Sequence, residues 1–145
     1  AHFEHKNLNG FASWMKVQVQ EEVAHATKFY TYINDIGGRV ELEGIAKPPS
    51  EYKSTLAVFE DALAHERTVT KAIYKLVDLA QEESHHATST FLQWFVTEQV
   101  EEEKVADDIC KRLELVGNSP EGLFMLDSEL GQRKPVAMAG AGTTA

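Results

Sequence analysis

The 145-residue chain has the size of one folded domain and is long enough to bury a hydrophobic core. Its 23 acidic residues against 14 basic ones give a formal net charge of −9, which argues against nucleic acid as a partner and is compatible with attracting cations. No run of about 18 uncharged apolar residues and no signal-like leader is present. We therefore expect a cytoplasmic protein with no membrane partner, and the single Cys110, which cannot form an internal disulfide, fits a reducing compartment.

A first long helix is predicted over residues 8–36, where apolar side chains recur at helical spacing before the stop signal Gly37-Gly38. The apolar stripe expected to be buried is Leu8, Phe11, Met15, Phe29, Ile33 and Ile36. Glu22 and His25 interrupt this stripe in its middle. They are three residues apart and face the same way, so that a carboxylate and an imidazole could bind one metal ion. An isolated pair of this kind is common on surface helices, and its meaning depends on the other helices.

Two further long helices are predicted. Residues 37–51 have no helical period, and extended they span roughly 50 Å, enough for the long crossover found in one class of four-helix bundle. The second helix is predicted from an N-cap at Ser50 to about Gln81, and the third from about Ala87 to Val116. The short connector between these two helices predicts an antiparallel pair.

Polar side chains also interrupt the apolar stripes of the second and third helices. Glu66 lies in the stripe of the second, and the stripe of the third passes Glu98, Gln99 and Glu102. The full stripe predicted for the second helix is Leu56, Phe59, Leu63, Glu66, Thr70, Ile73, Val77 and Ala80. Because Glu22, Glu66 and Glu102 each fall near the middle of their helix, side-by-side packing would bring them together in the core. The alternative is that these acids are solvated and that the helix phases are wrong by one residue.

Such a cluster of buried acids implies bound cations. A buried carboxylate costs several kcal/mol unless it is paired or bound to metal, and no lysine or arginine lies within one turn of Glu22 or Glu66 on the same stripe. Oxygen ligands with one imidazole suit iron or manganese better than zinc or copper, and shared carboxylates suit two metals close together.

The C-terminal part predicts one short helix and a tail. Ser119 and Pro120 supply a cap and first-turn proline for a helix ending near Leu130. The chain is thus predicted to be an all-α helical bundle domain over residues 1–131, followed by a flexible tail over residues 132–145 that is rich in glycine, alanine and threonine.

As a set, the motifs resemble those of the non-haem bacterial and archaeal ferritins, within the ferritin-like di-iron carboxylate family. The similarity runs almost continuously from Phe3 to about Arg133. The segments that carry it are NLNGFA at 7–12, QEEVAHA at 20–26, PPSE at 48–51, HE at 65–66, FLQWFV at 91–96, EQVEEE at 98–103 and LDSEL at 126–130.

This resemblance implies a ferritin-like four-helix bundle with one long crossover and a short C-terminal fifth helix. The first long helix of that bundle would precede Ala1 and is largely absent from this sequence. The resemblance also implies a homo-oligomeric shell of 24 subunits, in which Fe(II) is oxidised by O2 or H2O2 and stored as a ferric mineral.

The same resemblance assigns roles to individual residues. Glu22 is expected to bridge two irons, and His25 to bind the first of them. Glu66 and Glu102 are expected to bind the second iron, with Gln99 beside the pair.

A third iron site is implied by the same resemblance. Its expected ligands are Glu21, Glu98 and Glu101, with Glu102 taking part. No haem is expected, because Val23 replaces the methionine that follows the bridging glutamate in haem-binding relatives, and EQVE at 98–101 lacks their second Glu-x-x-His.

Two other functions remain open from the sequence. A shell subunit could sequester iron without a competent oxidation centre. The family's helix that would precede Ala1 supplies a further glutamate ligand to the first iron, and that glutamate has no match in this sequence. A helical protein–protein adaptor that binds no metal is the third reading.

Overall fold

The computed structural model describes residues 1–134, and all regular secondary structure within them is helical. The helices are α1 (His2–His5), α2 (Asn9–Asp35), α3 (Thr55–Glu82), α4 (His86–Val116) and α5 (Pro120–Leu130). The predicted all-α class is confirmed for this part of the chain. None of these helices is long and apolar enough to cross a membrane. The predicted flexible tail lies, from residue 135 onward, outside the described residues.

The helices group into two compact units. One contains residues 1–51, with α1 and α2, together with the segment from Pro120 that carries α5. The other contains Tyr52–Ser119, with α3 and α4. Between α2 and α3, residues 38–54 form neither helix nor strand, as expected for the long connection.

In the second unit, α3 buries the stripe that its sequence predicts. Phe59, Leu63, Ile73 and Ala80 are buried at helical spacing, and Glu66 and Thr70 lie between them on the same face. The list of buried apolar residues on α4 is Leu92, Phe95, Ala106, Ile109, Cys110 and Leu113. These two faces supply the core of the unit.

The predicted N-cap at Ser50 is wrong. The cap is Ser54, which has an extended backbone and whose Oγ accepts a hydrogen bond from the backbone N–H of Ala57 at 3.0 Å. The apolar period of α3 begins only at Leu56, and a capping residue stands immediately before the first periodic residue. Ser50 precedes it by too many residues.

The predicted antiparallel pairing of α3 and α4 is confirmed. The helices are joined by the three residues Glu83–His85, with Ser84 at φ 55°. Glu60, far from this turn on α3, lines the same cavity as Glu114, far from it on α4. In this hairpin, residues at similar distances from the turn therefore lie side by side.

In the first unit, α5 supplies the cap that α2 lacks. Leu8 stands at the N-cap of α2 and offers no side-chain acceptor. The carboxylate of Asp127 on α5 instead accepts the backbone N–H of Phe11 at 2.9 Å. A negative charge at a helix N-terminus also interacts favourably with the helix dipole. Phe11 is fully buried and packs on Phe3 of α1, with ring centroids 5.2 Å apart.

Candidate metal centre

Glu22 and His25 lie side by side on α2 as candidate metal ligands. Nδ1 of His25 lies 3.5 Å from Oε2 of Glu22, and the other oxygen of Glu22 accepts a hydrogen bond from Nε2 of Gln18 at 3.0 Å. Two ligand atoms that share an ion at about 2.1 Å each lie about 3 to 3.5 Å apart. The observed separation therefore suits one cation held by both side chains.

The burial of α2 differs from the predicted stripe. His25 is buried, but the Glu22 side chain is 47% exposed, on the face that holds an open groove of about 330 Å³. Trp14 and Val17 are buried where Met15 was expected to be. Apolar side chains occur on several faces of α2, so helical spacing alone did not fix which face is buried.

Glu21 is engaged by an arginine that follows α5. Nη2 of Arg133 makes a very short ion pair with Oε2 of Glu21, and its Nη1 donates to Oε1 of Gln18 at 2.9 Å. The guanidinium also stacks on Trp14, 4.3 Å from the ring centroid. Arginine combines bidentate polar contact with aromatic stacking, so this side chain holds the Glu21 carboxylate firmly. Helical spacing does not predict this contact, because it joins residues that are 112 positions apart in the chain.

The second unit contributes three buried polar side chains at half height. Glu66 of α3 is 8% exposed, and Gln99 and Glu102 of α4 are 3% and 7% exposed. Nε2 of Gln99 donates to Oε2 of Glu66 and to the backbone oxygen of Glu66, both at 3.2 Å. The predicted burial is thus confirmed at Glu66 and Glu102, and Glu66 and Gln99 lie in direct contact.

The remaining acids of α4 are more accessible. Glu98 is partly buried and Glu101 is exposed, while Glu102 lies on the buried face one residue further along. Glu98, Glu101 and Glu102 are spaced i, i+3 and i+4, which places them on neighbouring positions of one helix surface.

These side chains can bind hard cations. Burying a carboxylate costs free energy, and a bound divalent or trivalent ion offsets that cost. Carboxylate oxygens with one imidazole form a donor set for iron or manganese. Each unit therefore holds its own group of candidate ligands: Glu22 and His25 on α2, and Glu66, Gln99 and Glu102 on α3 and α4.

The sequence pattern did not identify Thr70 and Glu103 as functional residues, although hydrogen bonds link both to Gln99. Oγ1 of Thr70 lies 3.3 Å from Nε2 of Gln99 and 2.5 Å from Oε1 of Glu103. The sequence pattern places Thr70 in the apolar stripe of α3. It predicts no polar role for this residue, because threonine is not a typical metal ligand. Its polar role depends on the packing of α4 against α3.

Cys110 is buried at 6% exposure, next to Ile109 among the buried residues of α4. Burial raises the pKa of its thiol above the usual value, and the nearby acids Glu60, Asp107 and Glu114 raise it further. Since the thiolate is the reactive form, the folded protein keeps an inert, protonated thiol.

We expect Cys110 in the native protein to react with a thiol reagent far more slowly than in the unfolded chain. Raising the pH through the ordinary thiol range should accelerate the unfolded reaction first, because the folded pKa lies higher. The rate of disulfide exchange with an aromatic disulfide, followed by absorbance with and without guanidinium, measures both. Equal native and denatured rates would contradict this account.

The chain is similar to known proteins over most of its length. The family model described as ferritin-like domain matches residues 1–116. The bacterial non-heme ferritin of Bacteroides fragilis (strain 638R) is 43% identical over 132 residues, which make up 91% of this chain and 82% of that protein. The bacterial non-heme ferritin of Staphylococcus aureus (strain USA300) is 35% identical over 133 residues, covering 92% of this chain and 80% of that protein.

Solved structures give the same answer for the fold. A structure of an open pore ferritin from the hyperthermophilic archaeon Archaeoglobus fulgidus superposes with a TM-score of 0.90 at 48% identity, covering 91% of this chain and 82% of that chain. A humanized archaeal ferritin gives a TM-score of 0.92 at 47% identity, covering 93% of this chain and 82% of that one. The predicted ferritin-like four-helix fold with a short C-terminal helix is thereby confirmed, and the chain belongs to the ferritin family.

Proposed function

We propose that this protein stores iron, and that it oxidises Fe(II) at a dinuclear centre before storage. The observation that carries the proposal is the pair of buried carboxylates Glu66 and Glu102, set with Gln99 at half height of two packed helices. Such a group is costly in an apolar core without cations. Family membership supports iron as the cation.

In this proposal, iron is the substrate, and the five side chains divide two ions between them. Glu22 bridges both, His25 binds the first, and Glu66 and Glu102 bind the second. Gln99 lies next to the second iron and holds Glu66 by a hydrogen bond. Support comes from the Glu22–His25 separation of 3.5 Å and from the hard donor set.

The reaction is a two-electron oxidation. Two Fe(II) ions each give up one electron, and O2 takes both electrons with two protons to form H2O2. When H2O2 is the oxidant, it takes two electrons and two protons to form two water molecules. The protein contributes by holding both irons at once, which lets a single oxidant take the two electrons together.

We also propose a third iron site, formed by Glu21, Glu98 and Glu101 with Glu102. Arg133 bears directly on it because its guanidinium occupies the Glu21 carboxylate. Iron at this site therefore competes with Arg133 for Glu21.

The Arg133→Gln variant should bind Fe(II) at the third site several-fold more tightly, since the Glu21 carboxylate loses its competing cation. Anaerobic titration with Fe(II), scored as equivalents bound per subunit, measures the effect. Lys16→Gln is the matched control. Lys16 is an exposed cation on α2, the helix that carries Glu21, but it pairs with Glu4 instead. An unchanged third equivalent in Arg133→Gln, with the fold intact, would remove Glu21 from the third site.

The proposed assembly is a homo-oligomeric shell, with 24 subunits as the expected number and the cytoplasm as the expected location. Residues 1–131 are proposed to act as one domain in it. No haem, nucleic acid or membrane is part of this proposal. Native mass spectrometry of the purified protein measures the number of subunits directly.

Aerobic addition of Fe(II), followed by absorbance in a stopped-flow instrument, tests the proposal. We expect a rapid phase that saturates at about two irons per subunit, followed by slow mineral growth. A shell that assembles and mineralises slowly with no rapid phase would instead support the subunit without a competent oxidation centre. Protein that neither binds nor oxidises iron would contradict both functions.

A further inference from the structure

A chain of hydrogen bonds inside the second unit connects Glu66 to a surface arginine. Gln99 donates to Glu66 Oε2 at 3.2 Å and to Thr70 Oγ1 at 3.3 Å. Thr70 Oγ1 lies 2.5 Å from Oε1 of Glu103, whose other oxygen lies 3.8 Å from Nε of Arg67. The chain therefore runs from the buried candidate ligand outward to solvent.

Counting hydrogens fixes the direction of every bond in this chain. A threonine hydroxyl has one hydrogen, while a carbonyl oxygen and a carboxylate can only accept. Thr70 faces two such acceptors, the backbone oxygen of Glu66 at 3.0 Å and the carboxylate of Glu103 at 2.5 Å. The shorter, charge-assisted bond to Glu103 takes the hydrogen, and either choice consumes it. Thr70 therefore meets Gln99 only as an acceptor.

The orientation of the Gln99 amide follows from this. Its two ends are nearly indistinguishable in shape, so the neighbouring groups decide which end faces Glu66. All three oxygens around its Nε2, which are the Thr70 hydroxyl and the backbone and carboxylate oxygens of Glu66, are then acceptors. Gln99 must therefore present its NH2 group, whose two hydrogens are shared among them. A flipped amide would set its oxygen against three acceptor oxygens, which a buried site does not tolerate.

We propose that Thr70 is a positioning residue for the metal centre: it locks the Gln99 amide with the NH2 group on Glu66, and so holds the Glu66 carboxylate in one orientation. The inference rests on the proposed function of Glu66 as an iron ligand. Outer hydrogen-bond partners orient metal ligands, and their loss typically costs about 10- to 100-fold in metal affinity or activity. Glu103, paired with Arg67, anchors the hydroxyl of Thr70.

The test compares three variants of the full-length assembled protein. Thr70→Val keeps the shape of the side chain but removes the hydroxyl, and Thr70→Ser keeps the hydroxyl. Thr68→Val is the matched control, because Thr68 is exposed on the same helix and makes the same kind of bond to the carbonyl oxygen four residues earlier, at 2.9 Å. Anaerobic Fe(II) binding by calorimetry and the rapid oxidation rate are measured for each, with the thermal midpoint of unfolding as the check on folding.

We expect Thr70→Val to weaken Fe(II) binding and slow the rapid phase by about 10-fold or more. Thr70→Ser should restore both to within about twofold, and Thr68→Val should leave both unchanged. Wild-type behaviour in Thr70→Val overturns the proposal, and so does a Thr70→Ser variant that fails as badly as Thr70→Val. The unchanged protein reports on the proposed function separately: if it binds no Fe(II), that function fails, whereas normal binding with no loss in Thr70→Val overturns the role of Thr70 alone.

Discussion

The Glu66→Ala variant is expected to lose the rapid phase of Fe(II) oxidation, and Glu102→Ala is expected to do the same. Each change removes a carboxylate that we assign to the second iron. The loss should exceed the about 10- to 100-fold effect typical of removing an outer hydrogen-bond partner, because an iron ligand itself is gone. Stopped-flow absorbance after aerobic addition of Fe(II) measures it.

A second readout separates loss of the site from loss of the fold. The thermal midpoint of unfolding of each iron-free variant, compared with that of the unchanged protein, shows whether the fold survives the loss of the carboxylate and, at Glu66, of its hydrogen bond from Gln99. Asp78→Ala, which removes an exposed acid from the same helix, is the control and should retain the rapid phase. Normal rapid oxidation in both Glu66→Ala and Glu102→Ala would refute the assignment.

The Gly10→Ala variant should be strongly destabilised. A Cβ on residue 10 would lie 1.7 Å from the backbone oxygen of Asp127, and backbone atoms of α5 cannot move away without loss of the helix contact. The same movement would break the bond from Phe11 to the Asp127 carboxylate. Overpacking of this kind costs about 1 to 3 kcal/mol, and losing a helix cap adds about 1 kcal/mol.

The matched control for this change is Gly44→Ala, where an added Cβ meets nothing within 4 Å. We expect Gly44→Ala to stay within about 0.5 kcal/mol of the unchanged protein. Thermal unfolding followed by circular dichroism, with limited proteolysis near α5, compares the two variants. Equal midpoints for Gly10→Ala and Gly44→Ala would contradict the close approach of α5 to α2.

The sequence predicted best the helices whose apolar stripes have one clear phase. Of the eight residues in the predicted α3 stripe, six are buried, and the other two, Leu56 and Val77, are half-buried. When apolar residues keep a regular spacing over many turns, only one face of the helix can be the buried one. An acid on that face is then predicted to be buried.

Prediction failed where the phase or the contact depends on neighbouring elements. On α2, apolar residues lie on several faces. Glu22 was expected to be buried but is exposed, and Trp14 and Val17 are buried. The contact of Arg133 with Glu21 depends on where the end of α5 docks, which helical spacing does not encode. For the site, the sequence therefore supplied the ligand types, while packing supplied the partners that orient them.

The central claim is that two irons bind at Glu22, His25, Glu66 and Glu102. Its most direct test is a crystal of the intact protein loaded anaerobically with Fe(II), with anomalous scattering recorded on both sides of the iron edge. We expect two anomalous-difference peaks within bonding distance of these side chains, about 2 Å from their oxygen and nitrogen atoms. An iron-loaded crystal without a peak at Glu66 or Glu102 would contradict it.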